Sequence, residues 1–187
     1  MDIIGGVVGL VIGAIPMAVI AVAVRRNLGS PVLFRQERPG LGGKPFTLVK
    51  FRTMRDGDEP DAERLTKLGS FLRSTSLDEL PEFWGILKGD LSLVGPRPLL
   101  MQYLPLYSPE QARRHEVRPG LTGLAQVEGR NLVDWPTRLA SDVTYVDTWT
   151  IGGDIKIIFR TLTAVVRRTG VSAEGEATMS NFTGNEP

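Results

Sequence analysis

Residues 3–24 read IIGGVVGLVIGAIPMAVIAVAV, a stretch without a charged side chain that ends directly at Arg25 and Arg26. As a helix it would be roughly 33 Å long, about the thickness of the hydrocarbon core of a bilayer. It is too long for the apolar core of a signal peptide, and only Met1 and Asp2 precede it, so we expect it to be retained. The stretch therefore predicts a membrane helix as the first element of the fold.

Pro16 lies in the middle of this predicted helix. An interior proline removes a backbone hydrogen bond and bends the helix, and a bent helix can enter and leave a membrane by the same face. Proline is nevertheless tolerated in membrane-spanning helices. The residues alone therefore favour a spanning helix slightly over a re-entrant one.

The 187 residues include no cysteine and a single histidine, His115. Thiolate nucleophiles, disulfides and Cys-ligated metals are thereby excluded, and a Ser-His-Asp relay has little support. Acid–base and nucleophilic chemistry must fall to carboxylates, lysine or tyrosine. Because no internal linker is evident, we expect two parts, a membrane helix over residues 1–26 and a catalytic domain continuous with it over residues 27–187.

The rest of the chain predicts an α+β fold that is mainly helical. Two short β-prone runs, residues 32–36 and 46–51, flank a Gly-rich loop and predict a β-hairpin. Helices are predicted at residues 61–72, 78–87, 108–117, 135–147 and 154–168. The last of these is basic and amphipathic, so it either covers the core or lies in a membrane interface. We expect amphipathic helices around a compact catalytic domain.

Asp78 and Glu79 are adjacent acids within the sequence RSTSLDELP, residues 73–81, where the second of these helices is predicted to begin. Free N–H groups at a helix start favour an ionised carboxylate and bind phosphate oxygens, so one acid is suited to attack phosphorus and the other to act as a base. The same residues also match a capping box beginning at Ser76, in which the acids only complement the helix end. Pro81 argues against Ser76 as the cap, because it would fall beyond the free N–H groups.

Positive charge surrounds these acids in the sequence. Glu37 is the only acid between residues 25 and 55, a stretch rich in lysine and arginine that either attracts anionic lipid and phosphate groups or forms ordinary solvated surface. Two acids approach a diphosphate only with help from cations, and a divalent metal ion held by carboxylate and phosphate oxygens is expected. The stretch lacks the aromatic pattern of nucleic-acid binding, which we do not expect. Candidate phosphate ligands are Lys50, Arg52, Arg73, Arg97 and Arg130.

An ordered set of motifs covers most of the chain. It comprises FxQxRPG from Phe34, KFRTM from Lys50, RxxSLDELP from Arg73, KGDxS from Lys88, GPRP from Gly95, RPGLTG from Arg118 and QVxGR from Gln126. This set resembles the bacterial sugar transferases, and in particular the small monotopic phosphoglycosyl transferases. The tail GVSAEGEAT, residues 170–178, is similar to the subgroup that transfers N-acetylated amino sugars such as diacetylated bacillosamine.

The resemblance implies transfer of a phosphosugar from a UDP-sugar to a polyprenyl phosphate such as undecaprenyl phosphate, with release of UMP. This reaction would be the first membrane step of glycoconjugate or polysaccharide assembly. The resemblance also implies a re-entrant membrane helix broken at Pro16, in place of a spanning one. The protein would then be monotopic on the cytoplasmic face of the bacterial inner membrane.

The resemblance assigns individual roles as well. Asp78 would attack the β-phosphate to form a covalent phosphosugar intermediate and would serve as a Mg²⁺ ligand, and Glu79 would help to deprotonate the lipid phosphate. Glu82 stands where many relatives have glutamine, so it adds negative charge near the site. The oligomeric state stays open, a homodimer included. Substrate or phosphate binding would fall to Lys50, Arg73, Arg97, Arg130 and Asp154.

Two alternatives use the same residues differently. A lipid-diphosphate hydrolase would share the carboxylates, metal and arginines but would pass the phosphoryl group to water. A non-catalytic membrane scaffold would bind anionic lipid through the basic hairpin, and its acids would serve only as helix caps.

Overall fold

The computed structural model describes residues 1–128, 134–167 and 181–184, and it confirms the α+β class with a majority of helix. The strands are β1 (Leu33–Pro39), β2 (Pro45–Phe51), β3 (Ser92–Val94) and β4 (Gly120–Thr122). The α-helices are α1 (Asp2–Leu28), α2 (Asp61–Arg64), α3 (Lys67–Ser74), α4 (Glu82–Lys88), α5 (Pro109–Ala112), α6 (Leu124–Glu128), α7 (Trp135–Thr148) and α8 (Ile151–Arg167). Short 3₁₀ helices cover Leu41–Gly43, Leu77–Glu79, Met101–Leu106 and Arg113–Glu116.

Helix α1 is long and apolar enough to cross a membrane, judged by its length and composition. One of its faces packs on the rest of the molecule, where glycines allow a close approach to α4. A methyl group at Gly6 would lie 2.7 Å from a Leu87 methyl carbon, and one at Gly9 would overlap the Phe83 ring. The opposite face is open, and Ile15 is 78% exposed. The apolar sequence of α1 therefore serves both an internal interface and an external surface.

Both ends of α1 contact the rest of the chain. At its N-terminal end, the Asp2 carboxylate accepts hydrogen bonds from Ser92 Oγ at 2.9 Å and from the Leu93 amide at 3.1 Å. Near its C-terminal end, Val24 is fully buried in a core cluster that includes Leu72. The helix thus lies along the domain and does not project away from it.

The predicted hairpin is confirmed. Strands β1 and β2 pair antiparallel, with Gln36 opposite Leu48. Gly42 and Gly43 in the connecting turn have φ values of 63° and 73°, a region that glycine enters without the steric penalty of a side chain. The hairpin presents Lys50 near the end of β2.

Two of the predicted helices are interrupted. The helix expected over residues 61–72 divides into α2 and α3, because Leu65 forms a β-bridge with Met54 and Thr66 then caps α3 by accepting from the Gly69 amide. The helix expected over residues 78–87 divides into the 3₁₀ turn Leu77–Glu79 and α4, with Pro81 at the N-cap of α4. Proline has no N–H to continue the hydrogen-bond ladder through this point.

The remaining helix predictions hold better. Ser108 and Gln111 form a capping box at the start of the helix predicted over residues 108–117, although α5 continues as the 3₁₀ turn Arg113–Glu116. Helices α7 and α8 lie where the sequence predicts helices. The parallel pair β3–β4, with Val94 opposite Thr122, was not predicted, since each strand is only three residues long. This pair joins the GPRP loop after β3 to the RPGLTG motif.

Candidate active site

The turn Leu77–Glu79 presents the two adjacent acids. Ser76, which precedes it, has a φ of 56° and its side chain forms no capping hydrogen bond. The N-cap of α4 likewise forms no side-chain hydrogen bond. The capping-box alternative is therefore wrong, and the positions of Asp78 and Glu79 need another explanation.

Glu79 is fixed by two cations from separate parts of the chain. Its Oε1 atom lies 2.6 Å from Lys50 Nζ on β2 and 2.9 Å from an Arg97 guanidinium nitrogen in the GPRP loop. Burial acts to raise the pKa of Glu79, but the charges and hydrogen bonds of Lys50 and Arg97 outweigh it and lower the pKa to about 2. Glu79 is consequently ionised throughout the physiological range.

Asp78 is buried beside this group, with 8% of its surface exposed. Burial, followed by the charge of Glu79, raises its pKa, against the smaller opposing effects of Lys50, Arg73 and Arg97. No residue of the described ranges donates a hydrogen bond to its carboxylate, in contrast to Glu79. Asp78 therefore has oxygens available for a substrate or a metal ion.

Glu82 lies near Asp78 and Glu79, and these three side chains form an acid cluster. Glu82 is 4% exposed, and its Oε1 atom lies 3.1 Å from Lys50 Nζ, so one lysine serves two carboxylates. Burial raises the pKa of Glu82 to about 7. The charge of Lys50 acts to lower this pKa, but the charge of Glu79 acts to raise it again. The pKa of Lys50 is itself raised: burial acts to lower it, and the charge of Glu79 is the main opposing effect. The sequence had indicated Glu82 only as an acid where many relatives have glutamine, which adds negative charge near the site.

Arg73 lies beside the pair on α3. Its Nε donates to Thr53 Oγ1 at 3.1 Å, and its charge acts on Asp78. Arg52, the other arginine of the KFRTM motif, instead binds the Leu28 carbonyl at the end of α1 and Asp56 at 2.9 Å. The structure thus brings Arg73 to the acids and uses Arg52 to hold the membrane helix.

The predicted site residue Asp154 has a different set of partners. Its two carboxylate oxygens accept from the Tyr145 hydroxyl at 2.9 Å and from Trp149 Nε1 at 3.1 Å, and that hydroxyl also lies 3.1 Å from the Val94 carbonyl. This geometry ties α8 to α7 and β3, so it gives Asp154 a structural role. Its contact with substrate remains a prediction. Arg130 lies outside the described residues, as do the tail residues 170–178.

A magnesium ion fits this arrangement in a limited way. The part of the chain that the structure describes has no group of three or more acidic, histidine or cysteine side chains that could hold a metal on its own. Magnesium commonly binds through one or two carboxylates and completes its shell with substrate phosphates and water. The unbonded Asp78 carboxylate meets that requirement, whereas Glu79 is already occupied by Lys50 and Arg97.

Buried carboxylates are held among a lysine and arginines beside a long apolar helix, and ionisable groups with shifted pKa values arranged in this way are typical of an enzyme active site. The chain belongs to the bacterial sugar transferase family, whose model matches residues 1–168.

Three relatives illustrate the range of this family. An uncharacterized sugar transferase of Bacillus subtilis, EpsL, is 54% identical over 87% of this chain and 83% of its own length. The UDP-glucose:undecaprenyl-phosphate glucose-1-phosphate transferase of Caulobacter vibrioides is 43% identical over 78% of this chain and 61% of its own. The undecaprenyl-phosphate galactose phosphotransferase of Salmonella typhimurium is 38% identical over 90% of this chain but only 40% of its own. The chain thus spans less than two thirds of the latter two.

Proposed function

We propose that the protein transfers a sugar 1-phosphate from a UDP-sugar to undecaprenyl phosphate and releases UMP. The observation that carries the proposal is the contrast within the acid pair: Glu79 is held by Lys50 and Arg97, while the buried Asp78 carboxylate beside it has no hydrogen bond from the described residues. A fixed cationic frame next to an available carboxylate suits nucleophilic attack on a phosphorus atom. The names of the Caulobacter and Salmonella relatives describe reactions of this type.

In the first step, a carboxylate oxygen of Asp78 attacks the β-phosphorus of the donor. The bond from that phosphorus to the oxygen bridging the two phosphates breaks, and UMP leaves with the bonding electrons. Lys50 and Arg97 would stabilise the charge on the transferring phosphoryl oxygens. When bound by Asp78 and the substrate oxygens, Mg²⁺ would neutralise further negative charge.

In the second step, a phosphate oxygen of undecaprenyl phosphate attacks the same phosphorus, and the bond to Asp78 breaks. The product is undecaprenyl-diphosphate-sugar, and the Asp78 carboxylate is regenerated. Glu79 would help to take the proton of the lipid phosphate, but its low pKa makes it a weak proton acceptor. We therefore propose that the main contribution of Glu79 is to hold Lys50 and Arg97 in place.

We further propose that α1 is re-entrant, so that the protein is monotopic on the cytoplasmic face of the inner membrane. The contacts at both ends of α1, through Asp2 and through the Leu28 carbonyl, are with the same domain. A spanning orientation would break one set of contacts or draw charged groups into the bilayer. Each charge moved into the bilayer costs on the order of several kcal/mol. The structure has a single uninterrupted helix from Asp2 to Leu28 with Pro16 inside it, so the expected break is not seen; a bend at this proline would let both ends stay on one side of a membrane.

Helix α8 supports the same placement. Four apolar side chains spaced along one of its faces are exposed, from 44% to 66%, while Ile157 on the other side is buried. An exposed apolar stripe on a helix of this kind suits the membrane interface better than the solvated face of a soluble domain. The four side chains are Ile151, Ile155, Phe159 and Leu162.

The identity of the sugar is the finer part of the proposal. The resemblance of residues 170–178 favours an N-acetylated amino sugar, whereas the names of the Caulobacter and Salmonella relatives specify glucose and galactose. All three classes of UDP-sugar therefore belong in the assay.

The test is the mass of the intact protein in detergent or nanodiscs, with Mg²⁺ and each UDP-sugar but without lipid acceptor. A phosphosugar adduct that is absent from Asp78→Asn is the expected result, with Glu63→Gln, an exposed acid on α2, as the matched control. Adding undecaprenyl phosphate should then release the adduct as lipid product.

The alternatives give other products. Release of free sugar phosphate to water, without lipid product, would favour the hydrolase. UMP release that persists in Asp78→Asn would refute the assigned mechanism, and no turnover with any donor and acceptor would favour the scaffold.

A further inference from the structure

Arg97 reaches Glu79 from a loop, the GPRP segment of residues 95–98, that belongs to no helix or strand. Two guanidinium groups from distant parts of the chain donate to consecutive carbonyls of this loop. Arg114 donates to the Arg97 carbonyl at 2.7 Å, and Arg38 donates to the Pro98 carbonyl at 3.3 Å. The backbone that carries Arg97 is therefore held from two sides.

Arg114 is in turn fixed by Asp142 on α7. Arg114 Nε and Nη2 lie 3.0 Å and 2.7 Å from Asp142 Oδ2, and the two side chains are 1% and 2% exposed. A buried ion pair carries a large desolvation cost, and packing alone is served as well by apolar side chains. What the guanidinium adds is its rigid set of donors, which bonds the carboxylate and the Arg97 carbonyl at the same time.

Arg38 connects the same loop to the hairpin. Its second terminal nitrogen donates to Gln36 Oε1 at 2.6 Å, which orients the guanidinium toward Pro98. Arg38 is on β1, and the paired strand β2 carries Lys50. Arg38 thereby fixes the position of Arg97 relative to Lys50, the other cation that contacts Glu79.

We infer that Arg114, oriented by Asp142, and Arg38 are positioning residues that fix Arg97 for the diphosphate of the donor. The inference rests on the proposed function. Neither side chain is required to touch the substrate, since each acts through a carbonyl of the GPRP loop.

The test is a double-mutant cycle on the dissociation constant, Kd, of UDP, which carries the diphosphate but no sugar to transfer. Calorimetry on the full chain in detergent with Mg²⁺ would compare the wild type, Arg114→Lys, Arg97→Ala and the double variant. Lysine keeps the charge but lacks the rigid planar donors of the guanidinium, so it would not hold Asp142 and the Arg97 carbonyl in the same fixed geometry. Arg114→Lys should therefore raise Kd about tenfold, which corresponds to the loss of one hydrogen bond that involves a charged group. In the Arg97→Ala background the same substitution should change Kd by less than about twofold, because the positioned group is gone.

The adjacent Arg113→Lys is the matched control, since the ion pairs of Arg113 within the described ranges are with three acids on the surface, among them Asp147 on α7. It should leave Kd unchanged. Equal losses from Arg114→Lys with and without Arg97 would overturn the inference, because general damage does not depend on the Arg97 side chain. If thermal melting shows Arg114→Lys to be unfolded, Arg38→Lys serves instead, with exposed Arg35→Lys as control.

The outcomes also separate this inference from the proposed function. A wild type that binds no UDP and releases no UMP would refute the proposed function and the inference with it. A wild type that binds UDP and transfers sugar phosphate, together with an additive cycle, would refute the inference alone.

Discussion

Glu82→Gln tests the buried acid cluster through the pH dependence of stability. Glu82 has a pKa of about 7 in the folded chain, against 4.5 for an ordinary glutamate. Between these values the folded chain binds more protons than the unfolded chain, so a rise in pH lowers the free energy of unfolding. The loss is absent below about pH 4.5, grows toward pH 7 and is constant above it. A pKa difference of roughly 2.5 corresponds to about 3 kcal/mol.

Glutamine has the same shape but cannot ionise, so the variant should escape this loss. Relative to the wild type, Glu82→Gln should therefore gain stability between pH 5 and pH 8, by roughly 6–12 °C in melting temperature for about 3 kcal/mol in a chain of this size. Thermal unfolding of the detergent-solubilised protein, followed by tryptophan fluorescence at several pH values, measures this difference. Glu63→Gln on the exposed side of α2 is the matched control and should show no comparable gain.

The reasoning would be refuted if the difference in melting temperature between Glu82→Gln and the wild type stayed constant from pH 5 to pH 8. It would mean that Glu82 is already ionised at pH 5, held by Lys50 as firmly as Glu79 is. A gain that appears only above pH 10.5 would instead indicate deprotonation of Lys50, whose pKa is raised from that value.

Three further predictions follow from the packing, the shared lysine and the exposed stripe of α8. Gly9→Val should destabilise the protein by about 1–3 kcal/mol, because a side chain at this position of α1 would overlap the Phe83 ring; thermal melting measures the loss. Lys50→Met should destabilise it by about 3–5 kcal/mol at pH 8, because Glu82 loses its ion pair while Glu79 keeps Arg97, and the loss should shrink in the double variant with Glu82→Gln, which removes the Glu82 charge. Phe159→Glu should reduce retention of the whole chain on liposomes at unchanged melting temperature, since the side chain is 66% exposed; equal retention would argue against an interfacial α8.

The elements that the sequence predicted well are those whose signal is local. The hairpin depends on β-prone runs around glycines, and the α5 start depends on Ser108 and Gln111, which bond each other within one turn. The errors occur where a tertiary contact decides. Thr66 caps α3 because the Met54–Leu65 bridge has already drawn the chain out of helix, and nothing in residues 61–72 records that bridge.

The candidate site shows the same division. Adjacent acids and nearby basic motifs indicated phosphate chemistry, and the structure brings Lys50, Arg73 and Arg97 to the pair. The sequence could not show that Glu79, in contrast to Asp78, forms ion pairs with two cations. Those pairs depend on the contact between the hairpin and the GPRP loop, which are distant in the sequence. For the same reason the sequence could not show that Asp154 accepts hydrogen bonds from Tyr145 and Trp149, and the contact of Asp154 with substrate stays a prediction.

The contact between α1 and α4 would link the membrane to the proposed chemistry. Helix α4 begins at Glu82, within the acid cluster, and its side chains Phe83 and Leu87 pack against glycines of α1. Close packing transmits displacement instead of absorbing it, so the depth of α1 in the bilayer would fix the height of the acid cluster above it. A lipid phosphate stays at the headgroup level, whereas a nucleotide sugar arrives from solution. If the acid pair is held next to α1, it would therefore meet the lipid phosphate at the membrane surface. Widening the α1–α4 contact should then impair transfer of the sugar phosphate to lipid more than formation of the covalent intermediate.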